Sequence, residues 1–303
     1  MKYILKDFQT DAVTELISRL STAKVGYRGG AGQLQAVGLT ATTGAGKTII
    51  ATAVIEAILF GSVEHELDPD PGAMFLWMTD KPELNAQTQA KMLDASTNLR
   101  FDLLPEIGGT FRDETLDPGR VYFLNTQKLG AKADLVKRGP LVGRTFTFWD
   151  VVRKTIEDPA RTLYLIVDEA HRGMNEARKI AEANSIIQRF IKGYPEEGMP
   201  AVPIVVGISA TPDRFLGVVE RSGRTTSLWD VPPDDVRASG LIKEKTLADF
   251  AGEAQMDAMA LFPEAVEVWK DLTVAWAAYY KAYGKAGDEP LVVPALIIQV
   301  ENE

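Results

Sequence analysis

Eight consecutive residues, Ala41-Thr42-Thr43-Gly44-Ala45-Gly46-Lys47-Thr48, place two glycines, a lysine and a hydroxyl at a spacing suited to holding phosphate. The run follows an apolar stretch, Leu34 to Leu39, that reads as a buried strand. It precedes Ile49 to Phe60, an apolar, alanine-containing stretch that reads as a buried helix. A strand, a glycine-bearing turn and a helix aim successive backbone N–H groups at one point, and the helix N-terminus adds the positive end of its dipole. In such a cradle Lys47 reaches the β- and γ-phosphates of a nucleotide, and Thr48 gives its hydroxyl to Mg²⁺. Thr43, Gly44, Ala45 and Gly46 form the loop, where the two glycines let the backbone approach the phosphates. The usual pattern opens on glycine, and here the residue is Ala41. A chance match in an ordinary turn is the competing reading. The flanking strand and helix argue against it.

A second group closes another apolar strand, Leu163 to Val167, with Asp168-Glu169-Ala170-His171. A carboxylate at that place, Asp168, holds Mg²⁺ opposite Thr48. Its neighbour Glu169 can orient the attacking water and take its proton. His171 reads as a hydrogen-bond relay toward Ser209-Ala210-Thr211, which ends the strand Val202 to Ile208. A pair of solvated acids capping a helix, and a merely satisfied histidine, are the plainer alternatives. With no cysteine and only one other histidine, His65 in an acidic loop, a zinc site is not expected.

These groups need a frame. Further buried strands are expected at Ala73 to Met78 and Val121 to Leu124. Helices are expected at Leu5 to Leu20, from Pro82 to about Asp94, at Thr145 to Glu157, and at about Asn175 to Lys192. Ser21 to Gly32 reads as a glycine-rich loop. Leu216 to Asp235 reads as a loop holding Pro232-Pro233. Glu253 to Tyr283 reads as one long helix kinked near Pro263, whose aromatic residues suit a packing face. Ala295 to Val300 starts another strand. Strands alternating with helices predict an α/β fold, a parallel sheet with helices on both faces, and ligands at the carboxyl ends of its strands. Every polar group named above falls at such an end.

The 303 residues are 46% hydrophobic, enough for one large domain or two smaller ones. The net charge of −9 is not that of a protein that coats a duplex, so any nucleic-acid contact is local. The absence of cysteine fits a reducing, cytoplasmic setting. No apolar run nears 18 residues, so no membrane span is expected.

In order, Phe8-Gln9, the cradle, Asp168 to His171 and Ser209 to Thr211 resemble the motifs of superfamily-2 helicases of the DEAD/DEAH group. Further segments look like the helicase subunit of type III restriction enzymes: Leu76 to Leu84, Tyr122 to Leu129, Asp168 to Arg172, Gly207 to Pro212 and Leu296 to Asn302. The resemblance implies a RecA-like P-loop domain at 1–250, a helical extension at 251–290, and the first strand of a second RecA-like domain at 291–303. It implies an ATP- and Mg²⁺-dependent motor on single- or double-stranded DNA, with methyltransferase or nuclease subunits as partners. Gln9 would read adenine, although 38 residues separate it from Lys47. Ser209 and Thr211 would couple hydrolysis to movement. Thr79, Asn125, Thr126 and Gln127 would lie on the nucleic-acid track, with ordinary helix caps and turns as the alternative. The second domain would hold an arginine finger, so weak hydrolysis is expected of these residues alone. A nucleotide-gated binding module and an RNA helicase stand as rival readings. A metal-nuclease signature is absent: no lysine has an acidic residue two positions before it.

Overall fold

A computed structural model describes residues 1–29, 32–79, 82–139, 143–168, 177–219, 222–242 and 258–283. Glu169, Ala170 and His171, Asp80 and Lys81, and the expected strand at Ala295 to Val300 lie outside them. Contacts divide the chain into two units, Met1–Glu244 and Lys245–Glu303.

The first unit opens with α1 (Asp7–Arg28) and alternates thereafter: β1 (Gln35–Thr40), α2 (Lys47–Phe60), β2 (Ala73–Thr79), α3 (Pro82–Ala95), β3 (Val121–Asn125), α4 (Phe148–Glu157), β4 (Thr162–Asp168), α5 (Ala177–Lys192), β5 (Ile204–Ser209), α6 (Pro212–Val219), β6 (Thr225–Asp230) and α7 (Pro233–Ala238). The six strands form one sheet in the order β3-β2-β4-β5-β1-β6, and every pairing is parallel. A parallel sheet requires crossovers, and the helices that make them cover both faces.

Alternation along each strand divides the core in two. Val37, Leu39, Phe75, Trp77, Phe123, Ile166 and Ile208 pack with α1, α2 and α3. Ala36, Met74, Leu76, Met78, Leu124, Leu165 and Val205 pack with α4, α5 and α6. Within the first of these layers, between α1 and α3, α2 is buried from Ile50 to Leu59. Near its end Glu56 accepts hydrogen bonds from Ser96 Oγ, Thr97 N (3.2 Å) and Asn98 Nδ2 (3.1 Å).

Three expectations need correction. The helix α1 does not end at Leu20 but runs to Arg28, so most of the expected glycine-rich loop is helical. Ala23 packs into the core there, and the bare Cα of Gly26 leaves room for Gln35, whose Nε2 lies 3.0 Å from where a side chain would start. The expected loop at Leu216 to Asp235 contains the end of α6, β6 and the start of α7. Pro233 opens α7, because proline suits the first helical position, where no N–H is needed. The helix expected from Thr145 starts at Phe148. Thr147 caps it, and Asp150 returns the bond to the Thr147 backbone.

One contact sets how β1 and β5 lie together. Gly38 and Gly207 are register partners, and the Phe215 ring of α6 covers both. A Cβ at Gly207 would stand 2.0 Å from Phe215 Cδ2. In the second unit α8 (Ala258–Tyr283) is one helix containing Pro263.

Candidate nucleotide site and its rim

The cradle leaves β1 at Thr40. Ala41 N donates to Ser209 O (3.1 Å) and Val231 N to Thr40 O (2.8 Å), so the loop departs between two neighbouring strands. Ala41 is 1% exposed, and its φ is not in the left-handed region. A methyl group therefore fits where glycine is usual. Gly44 and Gly46 do need their freedom, with φ of 90° and 76°. The turn closes through Ala45 N to Thr42 O (3.2 Å). The first turn of α2 follows, with Ile49 N and Ile50 N donating to Gly46 O at 2.8 and 3.0 Å. Lys47 Nζ lies over the loop, 3.0 Å from Ala41 O and 3.3 Å from Thr42 O. Thr48 is half-buried beside it.

Gln9 is 5% exposed and belongs to this loop. Its Oε1 accepts from Lys6 N (3.0 Å) and its Nε2 donates to Ala45 O (3.0 Å). A Cβ on Gly46 would meet Gln9 Nε2 at 2.6 Å, so the bare backbone of Gly46 is a condition of that contact. One N–H and one lone pair of the Gln9 amide are used there, and one of each remains. Next to Gln9 is a cleft of about 470 Å³, lined by Lys6, Asp7, Phe8, Asp11, Asp235, Ala238 and Ser239. Beyond α7, Ile242 Cγ2 stands 2.9 Å from where a Gly44 Cβ would be. The α7 wall and Ile242 escaped the sequence reading, although Pro232-Pro233 was a usable signal.

Across the sheet, Thr40 pairs with Ser209 and Ile208 with Asp168. The cradle, Ser209 and Asp168 are therefore brought to one edge, on β1, β5 and β4, within two strand spacings or about 10 Å. Asp168 is half-buried at the end of its strand. Ser209 Oγ accepts from Thr211 N (3.0 Å) and lies 3.4 Å from Thr211 Oγ1.

The carboxyl ends of β2 and β3 form a separate rim. Thr79 and Asn125 are register partners. Thr79, Asn125 and Thr126 are each 1% exposed. Thr79 Oγ1 donates to Asn85 Oδ1 (2.6 Å), and Asn125 Oδ1 caps the next turn by accepting from Gln127 N (2.9 Å). Gln127 is the exposed member. Asn85 Nδ2, Asn125 Nδ2 and Thr126 Oγ1 are buried without a hydrogen-bond partner. Strand-end position was legible in the sequence and burial was not.

The family described as type III restriction enzyme, res subunit, matches residues 2–214. The chain belongs to that family. The match to the Res subunit takes in the cradle, Asp168 and Ser209 to Thr211, and it stops within α6. With it, the all-parallel sheet is a RecA-like helicase-type motor domain. No curated protein matches the chain. Among solved structures, the UvsW helicase from bacteriophage T4 is similar at 14% identity and a TM-score of 0.38, over 75% of this chain and 60% of that one. No described helix of this Res-type chain is long and apolar enough to cross a membrane, and no described cluster of His, Cys, Asp or Glu could hold a metal ion.

Proposed function

We propose that the domain binds ATP with Mg²⁺ and uses it to move on DNA. The observation that carries this reading is the convergence of the cradle, Asp168 and Ser209 on one edge of the sheet. The cradle fits a triphosphate chain: its two left-handed glycines leave only backbone at the turn, and the N-terminus of α2 faces the same point. Lys47 would hold the outer phosphates, and the Thr48 hydroxyl and Asp168 would hold Mg²⁺. The bound ion supplies charge neutralisation for phosphoryl transfer. Thr43 to Gly46 would offer backbone N–H groups. Glu169 and His171 keep their proposed roles, orienting water and relaying a hydrogen bond. Ser209 and Thr211, tied to each other, would couple phosphate release to movement.

The remaining N–H and lone pair of Gln9 match N7 and N6 of adenine, the pairing that glutamine makes with that base. The adjacent cleft would take the nucleoside. Nucleic acid would run over the β2–β3 rim, where Gln127 is exposed. Full turnover would draw on an arginine from a further RecA-like domain. Methyltransferase or nuclease subunits would be partners in a restriction system.

The deciding experiment is ATP turnover, alone and with single- or double-stranded DNA, with Lys47→Ala as control. Turnover raised by DNA and abolished in Lys47→Ala is the expected result. Nucleotide binding that survives Lys47→Ala unchanged would overturn the assignment. Equal stimulation by RNA would remove the preference for DNA.

A further inference from the structure

Arg144 is 5% exposed and its Nε is buried without a hydrogen-bond partner. Its Nη2 donates to Gly109 O at 3.3 Å. Arg112, which is exposed, donates from Nη1 to the same oxygen at 2.5 Å and to Phe111 O at 2.9 Å. Two guanidinium groups are thus held on one carbonyl. No carboxylate among the described residues forms an ion pair with Arg144. Burying a cation without an opposite charge is unfavourable. Desolvation, and then the nearby Arg112 charge, push the Arg144 pKa down. Asp134 opposes them.

The pair is placed for a ligand. Glu106 bridges Phe123 in parallel on the outer edge of β3, so the chain that follows, through Gly108 and Gly109, continues toward the carboxyl end of the sheet. That is the end carrying Asn125 and the exposed Gln127. Residues 127–144 hold five basic side chains and one acidic one, Asp134, in a chain of net charge −9. Lys128 is paired with Glu106 at 2.6 Å, Lys137 with Asp134 at 3.4 Å and Arg138 with Asp150 at 3.0 Å, whereas Arg144 has no such carboxylate among the described residues.

We propose that Arg144 and Arg112 form a binding pair for one phosphodiester of the nucleic-acid strand that crosses the β2–β3 rim. A planar fork held from behind by Gly109 O is pre-organised for phosphate oxygens, and the anion supplies the charge that Arg144 lacks. The assignment rests on the nucleic-acid reading above and adds to it a contact specific for backbone.

The test is the affinity of the chain for labelled single-stranded and duplex DNA of two unrelated sequences, measured over a salt series. Wild type is compared with Arg144→Gln and Arg112→Gln. Each substitution should weaken binding to both sequences alike, and the slope of log affinity against log salt should fall by roughly 0.7–0.9 for each lost contact. Affinity for a fluorescent ATP analogue should be unchanged. Arg112 is exposed, so Arg112→Gln keeps the test sound if Arg144→Gln does not fold. Wild-type slopes retained by folded variants would overturn the pair and leave the motor reading standing. No salt-dependent DNA binding by the wild-type chain would overturn both.

Discussion

The Nε2 of Gln9 stands 3.0 Å from the carbonyl oxygen of Ala45, across 36 residues of sequence. The distance in sequence from Gln9 to the cradle is thereby absorbed: α1 and β1 return the chain so that the second turn-forming glycine, Gly46, lies against the amide. Gln9→Ala removes the donor and leaves the loop unbraced. A loss of about 1–2 kcal/mol, roughly tenfold in nucleotide affinity, is expected. Titration with ATP and GTP separates two contributions. Equal losses mean that Gln9 only braces the loop, and a larger loss for ATP means that it also reads the base.

Lys47 Nζ is within 3.3 Å of two carbonyl oxygens of its own loop. Removing it takes away a charge-assisted contact worth about 1.5–3 kcal/mol, so Lys47→Ala should bind nucleotide roughly 10- to 100-fold more weakly. The Tm without nucleotide should change little, because the side chain is only half-buried. Calorimetric titration with wild-type affinity in the variant would refute the cradle.

Gly207 has no room for a side chain beneath Phe215. Gly207→Ala should destabilise the domain by roughly 1–3 kcal/mol through overpacking, visible as a drop of several degrees in Tm. Adding Phe215→Leu to Gly207→Ala should recover part of that loss. Strictly additive effects in the double variant would show that the ring and the glycine do not interact.

Asp150 supplies a pH dependence. Burial alone would raise its carboxyl. Hydrogen bonds from Thr147 N (2.8 Å), Thr147 Oγ1 (2.9 Å) and Arg153, with the charge of Arg138, outweigh burial and hold it below the ordinary value. A lowered folded-state pKa contributes stability that is present above the unfolded value of 3.8 and is lost as pH falls through the lower folded value. The stability gap between wild type and Asp150→Asn, measured by urea unfolding, should be constant near neutral pH and close below about pH 4. A gap that persists unchanged to pH 2 would contradict this.

Most strands were legible because β1, β2, β3 and β5 are continuous apolar runs bounded by polar turns, and the ends of β4 and β5 carry chemistry that a buried strand does not need. β6 was not legible. It is an edge strand with a half-exposed pattern, Thr225 to Asp230, and its support comes from afar: Arg19 Nη1 reaches Ser227 Oγ at 2.5 Å, and its guanidinium lies over Trp229. Thr79 and Asn125 show the opposite limit. Short polar residues at strand ends suggested surface contacts, but α3 folds Asn85 over Thr79, and Gln127 N turns back on Asn125. A contact between segments decides burial, and no local pattern announces it. The Arg144–Arg112 pair was illegible for the same reason, since Gly109 joins residues 32 positions apart.

The burial of α2 has a dynamic consequence. A helix enclosed from Ile50 to Leu59 and fastened near its far end by Glu56 has no easy partial opening. Its amides should exchange with solvent only through unfolding of the whole domain, while the glycine turn at its N-terminus exchanges far sooner. The pliable part of the site is thus mounted on the segment that loses its structure last.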